Sequence, residues 1–235
     1  MLIINADDYG RSRPETEAAL ACFLAGGITS VSAMVFMTDS QRAAEVAREH
    51  KLPVGLHLNL SQSYEVPVSA AAAAAHERII HFLAGGKYAV LLYHPGLRRD
   101  FKEVYQIQSD EFVRLYGQSP THVDGHHHRH LCANMLIDEV IPRGQRVRRN
   151  FTFWPGEKGW VNRAYRRLSD RWLARRYRLT DYLFNLSDCL GEGTLARVLG
   201  LAGSATVELE THPNREAERI LLTSEDFRRM RGDKL

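Results

Sequence analysis

The feature that most constrains this chain is an alternation of short apolar runs with stretches of helical periodicity. Residues 2–5 form an apolar run, and in 14–26 Ala19, Leu20, Phe23 and Leu24 recur at helical spacing before Gly26-Gly27 stops the helix. Residues 28–37, rich in Val, Ile, Thr and Ser, predict a second strand, and 39–50 a second helix. Residues 53–58 predict a third strand, 101–116 an amphipathic helix closed by Gly117, and 121–124 a fourth strand. Residues 146–153 predict a fifth strand, 205–210 a late one, and 214–230 a terminal helix. Strand and helix in strict succession predict parallel βαβ units, hence an α/β sheet or barrel. Two stretches interrupt the rhythm and read as insertions. One lies near 61–98, around the helix-forming run Ala70–Ala75, and the other is the Arg- and aromatic-rich segment 151–188. No linker and no internal repeat divides residues 1–235, so one domain is expected.

Composition narrows the class. Hydrophobic residues at 44% and charged residues at 25% are globular values. No apolar stretch approaches the roughly 18 residues of a membrane span. The start, Met1 to Gly10, lacks the basic region of a secretory signal and turns acidic at Asp7. Three widely spaced cysteines, Cys22, Cys132 and Cys189, form neither a disulfide framework nor a metal-binding pair, and this fits a reducing, cytoplasmic compartment. A net charge of +3 does not ask for nucleic acid as a partner.

Each of four expected strands ends in a polar cluster: Asn5-Ala6-Asp7-Asp8, His57-Leu58-Asn59, His122 through His128, and Glu208 through Pro213. In a parallel sheet or barrel these carboxyl ends share one face, so clusters distant in sequence meet there. Asp and His together suit a divalent ion such as Zn²⁺ or Mn²⁺ with open positions for water and substrate. A spare carboxylate beside the ion can take a proton from water, and a separate His can protonate a leaving group. Taken singly, each cluster has a plain structural reading: paired Asp as a helix cap, His57 as a core histidine, His126–His128 as a surface cluster, His212-Pro213 as a turn. Their joint placement at strand ends carries the functional reading.

The motifs NADDYG, GLHLNL, THVDGHHH and THP, in this order, resemble those of the YdjC/ChbG-like carbohydrate deacetylases, and they span Asn5 to Pro213. The resemblance implies a distorted or incomplete TIM-type (β/α) barrel related to polysaccharide deacetylases. It also implies one divalent metal ion and removal of acetyl groups from N-acetylated sugars. By motif position the metal ligands would be Asp8, His57 and His126, the base Asp7 and the acid His212. Asp124, Arg148 and Glu208 would have supporting roles, with Asp124 fixing a histidine tautomer. Gly125 stands where Ser is frequent in the family and Asn214 where Gly is usual; neither removes a ligand. Mg²⁺ and Zn²⁺ both fit the family, and two imidazoles lean toward Zn²⁺. Residues 150–158 resemble a branch associated with exopolysaccharide or lipid-linked sugars.

Two other readings stay open on sequence: a two-metal phosphoesterase, with Glu208 and Glu210 as bridging carboxylates, and a non-catalytic sugar-binding relative. The seven arginines between Arg163 and Arg178 alternate with Tyr165, Leu168, Trp172 and Tyr177. The stripe Val161, Tyr165, Leu168, Trp172 is expected to pack on the barrel, with peripheral membrane contact as the competing reading. Tyr9, Trp154 and Trp160 are candidate stacking platforms for sugar rings. The expected partner is an N-acetylated sugar or oligosaccharide, and a homodimer is compatible with the sequence.

Overall fold

The computed structural model describes residues 1–86, 88–191 and 193–231; the remaining positions of the span expected to form one domain lie outside the described residues. In chain order the elements begin β1 (Leu2–Tyr9), α1 (Arg13–Leu24), β2 (Ser30–Ala33), α2 (Ser40–Glu49), β3 (Val54–Leu58), α3 (Ala70–Ala84), α4 (Arg98–Tyr116) and β4 (Val123–Gly125). They continue α5 (Ala133–Ile137), α6 (Trp160–Leu173), β5 (Tyr182–Asn185), α7 (Leu186–Cys189), α8 (Thr194–Leu201), β6 (Val207–Thr211), α9 (Glu216–Thr223) and α10 (Glu225–Arg231). The strands form one sheet of six in the order β4-β3-β2-β1-β6-β5, with every pairing parallel. The sheet curls into a half-barrel, an incomplete (β/α) barrel. Among the described residues no helix is long and apolar enough to cross a membrane.

Side chains alternate across a strand, and here the alternation sorts chemistry. Ile4 and Ala6 of β1 join the hydrophobic core, while Asn5 and Asp7 take the other face. Ser30 and Ser32 on β2, His57 on β3, Asp124 on β4, and Glu208 and Glu210 on β6 are likewise buried. The concave side of the sheet is therefore a polar layer, although barrels of this class ordinarily fill that space with branched aliphatic side chains. Ser30 Oγ donates to Asn5 Oδ1 at 2.7 Å, Asn5 Nδ2 to Ser32 Oγ at 2.7 Å, and Ser32 Oγ to Asp124 Oδ2 at 2.6 Å. Asn5, Ser30, Ser32 and Asp124 thus each meet a partner on a neighbouring strand. Gly55 is part of the same design. A Cβ there would lie 2.3–2.5 Å from the ring atoms of His122, which crosses β3 to reach Ser32 Oγ at 2.9 Å.

Residues 61–98 do contribute a helix between β3 and α4. Ser69 caps α3 by accepting from the Ala72 N–H at 3.2 Å. Packed together, α3 and α4 clamp the chain leaving β3: His76 Nε2 and Gln108 Nε2 both reach the Asn59 carbonyl, at 2.9 and 2.8 Å.

Three sequence expectations need correction. Residues 146–153 form no regular strand. They bridge β4 and the β5 region through scattered bonds, Arg148 N to Val123 O at 3.1 Å and Thr152 N to Leu183 O at 2.8 Å among them. The segment 151–188, read as an insertion, contains strand β5 at the sheet edge. Finally, the apolar stripe of α6 packs on the core only through Trp172. That helix is held by Asp170, which accepts from Arg149 Nη2 at 2.7 Å and Asn150 Nδ2 at 2.8 Å, and by buried Leu173. Val161, Tyr165 and Leu168 are left facing outward.

Candidate active site

Asp7 and Asp8 are consecutive, so a regular strand would send them to opposite faces. The pairing of β1 with β2 is irregular between Ala6 and Tyr9, and Asp8 adopts a left-handed backbone with φ of 62°. That conformation is costly for a residue with a Cβ, and strain of this kind tends to gather at functional sites. Here it turns both carboxylates into one site.

The two carboxylates then meet different surroundings. Asp8 Oδ2 accepts from Arg11 Nη1 at 2.9 Å. Asp8 Oδ1 lies 2.9 Å from His126 Nδ1 and 3.3 Å from His57 Nε2. Neither contact closes as a hydrogen bond, and this oxygen is buried without a hydrogen-bond partner. Asp8, His57 and His126 bring one ligand atom each within 4.8 Å of one another. One carboxylate oxygen and two imidazole nitrogens aimed at a common point fit a divalent cation. Burial works against the charge on Asp8, but His126 and His57 outweigh it and hold the carboxyl below the usual range. His57 Nδ1 contacts Asp124 Oδ1 at 2.8 Å, which leaves Nε2 to face Asp8. Burial pulls His57 down, yet Asp124 and Asp7 push the imidazole well above its ordinary value.

Asp7 belongs to a second cluster, built around the buried guanidinium of Arg148. Arg148 Nη1 and Nη2 grip the two Asp7 oxygens at 2.6 and 2.7 Å. The same group reaches Glu208 Oε1 at 2.7 Å, Asp124 Oδ2 at 2.8 Å and Glu210 Oε2 at 3.2 Å. One positive charge is thus divided among four carboxylates. Burial raises Glu208 against the pull of Arg148. Burial also opposes ionisation of Glu210, but His128 and Arg148 bring it down to about 2. Counting Asp8, buried acids outnumber buried guanidinium groups in this interior, a balance that favours a cation.

His212 follows β6 and shares a cluster with Asp7 and Glu210, their ligand atoms lying within 4.8 Å of one another. Its Nδ1 is buried without a hydrogen-bond partner. Its backbone N–H donates to Glu218 Oε2 at 2.6 Å, so α9 fixes the turn that presents the ring. The histidine run divides its members. His127 and His128 are both left-handed, with φ of 53° and 55°, which turns successive rings in different directions. His126 faces Asp8, His127 meets Ser61 Oγ at 3.0 Å, and His128 Nε2 lies 3.1 Å from Glu210 Oε2. His130 is buried and contacts the Arg148 carbonyl at 3.0 Å. A Cβ on Gly125 would come within 2.9 Å of His130, so the glycine at this position serves that packing.

All eight singled-out residues, Asp7, Asp8, His57, Asp124, His126, Arg148, Glu208 and His212, therefore lie in this linked network. Sequence reasoning gave no role to Asn5, Ser32, His122 or His128. Asn5 and Ser32 were detectable as polar residues two apart inside otherwise apolar strands. The stacking candidates fare differently. Tyr9 is buried in the core with its hydroxyl on the Ala43 carbonyl, Trp154 stacks on Phe184 beneath Arg197, and Trp160 stands exposed at the start of α6. A cleft of about 230 Å³, lined by Phe151, Phe153, Lys158 and Asn185 among others, opens near the site. The Phe151 ring packs edge-on against His128 at 4.5 Å and joins the two regions.

The chain is 32% identical over 244 residues to a mouse protein named carbohydrate deacetylase, covering 90% of this chain and 77% of the relative. It is 31% identical over 136 residues to a Serratia marcescens chitooligosaccharide deacetylase, covering 56% and 51% of the two chains. A crystal structure of an Enterococcus faecalis V583 protein ascribed to cellobiose-phosphate cleavage superposes with a TM-score of 0.66 at 20% identity, over 97% of this chain and 92% of the other; this likeness concerns the fold alone. The model of the YdjC-like proteins matches residues 1–233, and the chain belongs to that family.

Proposed function

We propose that this protein is a metal-dependent carbohydrate deacetylase that hydrolyses the acetamide of N-acetylated sugars. The observation that carries the reading is the buried, unpartnered Asp8 Oδ1 facing His126 and His57, with a second carboxylate, Asp7, beside it. Asp8, His57 and His126 would hold the ion, and the donor set favours Zn²⁺ over Mg²⁺. Such an ion supplies Lewis-acid polarisation of the acetyl carbonyl and acidifies water.

The chain's own residues do the rest. Asp7 takes the proton of the attacking water. Arg148 holds both Asp7 oxygens in place, and because its charge is shared with Glu208, Asp124 and Glu210 it neutralises Asp7 only in part. Asp124 keeps the His57 proton on Nδ1. His212 delivers a proton to the departing sugar nitrogen, giving acetate and a free amino sugar. The cleft beside His128 is the place for neighbouring sugar units. Three buried free cysteines suit a reducing, cytoplasmic setting.

The phosphoesterase reading needs a second cation. The cluster available for it is Asp7, Glu210 and His212, and there the Arg148 Nη1 already lies 2.6 Å from Asp7 and 3.2 Å from Glu210. A resident guanidinium favours one metal rather than two. The test is acetate release from N-acetylated mono- and oligosaccharides, with metal, after chelation, and with Asp7→Asn. Release that needs metal and disappears in the variant supports the proposal. A chain that binds two ions and cleaves phosphate esters would replace it, and sugar binding without acetate release would point to a non-catalytic relative.

A further inference from the structure

The most unusual surface of the molecule lies on α6. Its apolar residues face away from the body: Trp160 is 75% exposed and Leu168 64%, with Val161 and Tyr165 also open. The stripe continues across a groove of about 260 Å³ lined by Val90, Leu91, Leu136, Ile137, Tyr165 and Leu168. Leu92 and Ile137 extend the exposed area. Both segments that interrupt the strand–helix rhythm thus contribute to one apolar face. Monomeric surfaces seldom leave such an area uncovered.

We propose that this face docks on the surface of an anionic lipid bilayer. Charge selects the occupant. Arg167, Arg171 and Arg175 recur every four residues on the exposed side of the chain next to the stripe, whereas Arg163 lies on the inner side with Asp170. Among the described residues none of these three forms an ion pair. The one acid of α6, Asp170, is turned inward onto Arg149 and Asn150. An apolar stripe beside a row of unanswered arginines, with Trp and Tyr in the stripe, is the pattern of a helix lying in the interface of an anionic membrane. A second copy of this chain fits less well. The groove is lined by no carboxylate that could meet the partner's arginines, so a two-fold contact would set like charges together. A bilayer also needs no shape complement, which suits a face assembled from a helix, a short turn and the end of α5.

The inference is independent of the proposed chemistry, because its readout is binding. The full chain is sedimented with vesicles of phosphatidylcholine alone and with vesicles containing about one-third phosphatidylglycerol, at low and high salt. The expected result is at least a tenfold preference for the anionic vesicles that salt abolishes, with a blue shift of tryptophan emission from Trp160 and Trp172. Leu168→Asp should weaken binding by about tenfold, and the combined Arg167→Glu, Arg171→Glu, Arg175→Glu variant should remove the preference for anionic lipid. Leu168 is exposed, so an unchanged melting temperature for Leu168→Asp verifies that the variant folds. Failure of the wild type to bind anionic vesicles overturns the proposal. So does Leu168→Asp binding as tightly as wild type, and so does a wild-type dimer in light scattering that Leu168→Asp converts to a monomer.

Discussion

On the concave side of the sheet, Asp7, His57, Asp124, Glu208 and Glu210 occupy buried strand positions; on the outside of α6, Val161, Tyr165 and Leu168 occupy exposed helix positions. The two regions invert the usual distribution of polarity, the first carrying charge inward and the second carrying apolar surface outward. Each inversion has its own support. The buried acids are answered by Arg148, by hydrogen bonds from Ser32 and Asn5, and by the two imidazoles that face Asp8. Among the described residues nothing covers the exposed part of the stripe. The comparison separates an interior whose charges are met by its own side chains from a face whose apolar residues stand in the open.

The sharpest way to break this contrast is at the ligands. Asp8→Ala and His57→Ala are expected to lose bound metal, measured by elemental analysis, and to lower acetate release by about 10⁴-fold or more. Asp7→Asn is expected to keep the metal while losing about 10²–10⁴-fold in rate. Equal metal loss in all three would remove the distinction drawn between Asp7 and Asp8. Next in size is the centre of the buried network. Arg148→Met strands four carboxylates without their shared cation and should cost about 3–5 kcal/mol in a urea titration. A loss within experimental error would show that the polar layer is held by other contacts.

A smaller effect is expected from acid. Burial brings His76 down from 6.5 to about 4, and its neutral ring bonds the Asn59 carbonyl and stacks on Tyr64. The unfolded chain binds this proton below 6.5 and the folded chain does not until about 4. Its contribution to stability is therefore complete above 6.5 and declines as the pH falls toward 4. His122, brought to about 4 by burial, adds a slope of the same sign. Melting temperatures at successive pH values should fall through this window, and His76→Gln should flatten the fall; an unchanged slope counts against this account. The smallest effect belongs to the outer face. Leu168→Asp should change stability by less than about 0.5 kcal/mol in the same titration, and a larger loss would mean the stripe is covered after all.

Much of the inner site is legible in the sequence, because ligands at strand ends leave local patterns: paired Asp after an apolar run, His within GLHLN, His after Asp-Gly. Strand β5 was hidden by its brevity and by its setting in an Arg-rich segment, where the edge position asks for little hydrophobic continuity. Residues 146–153 carry strand-like composition but spend their hydrogen bonds on two neighbours in turn, which denies them a regular ladder. For α6, periodicity reveals that an apolar stripe exists but not where it points. Asp170, a single polar anchor, decides that by turning the other side of the helix inward. The convergence of four acids on Arg148 depends on the curl of the sheet, which brings residues of β1, β4 and β6 to the segment after β4, and has no local signature.

The Asp8 oxygen lying between two imidazoles has a further consequence. That triangle attracts hydrogen ions, since His57 is pushed well above its ordinary value by Asp124 and Asp7. A metal held as proposed would expel protons on loading, and its apparent affinity should weaken by about tenfold for each unit the pH falls and each proton displaced. Ambient acidity and the free concentration of metal would thus act on this protein as two settings of one control.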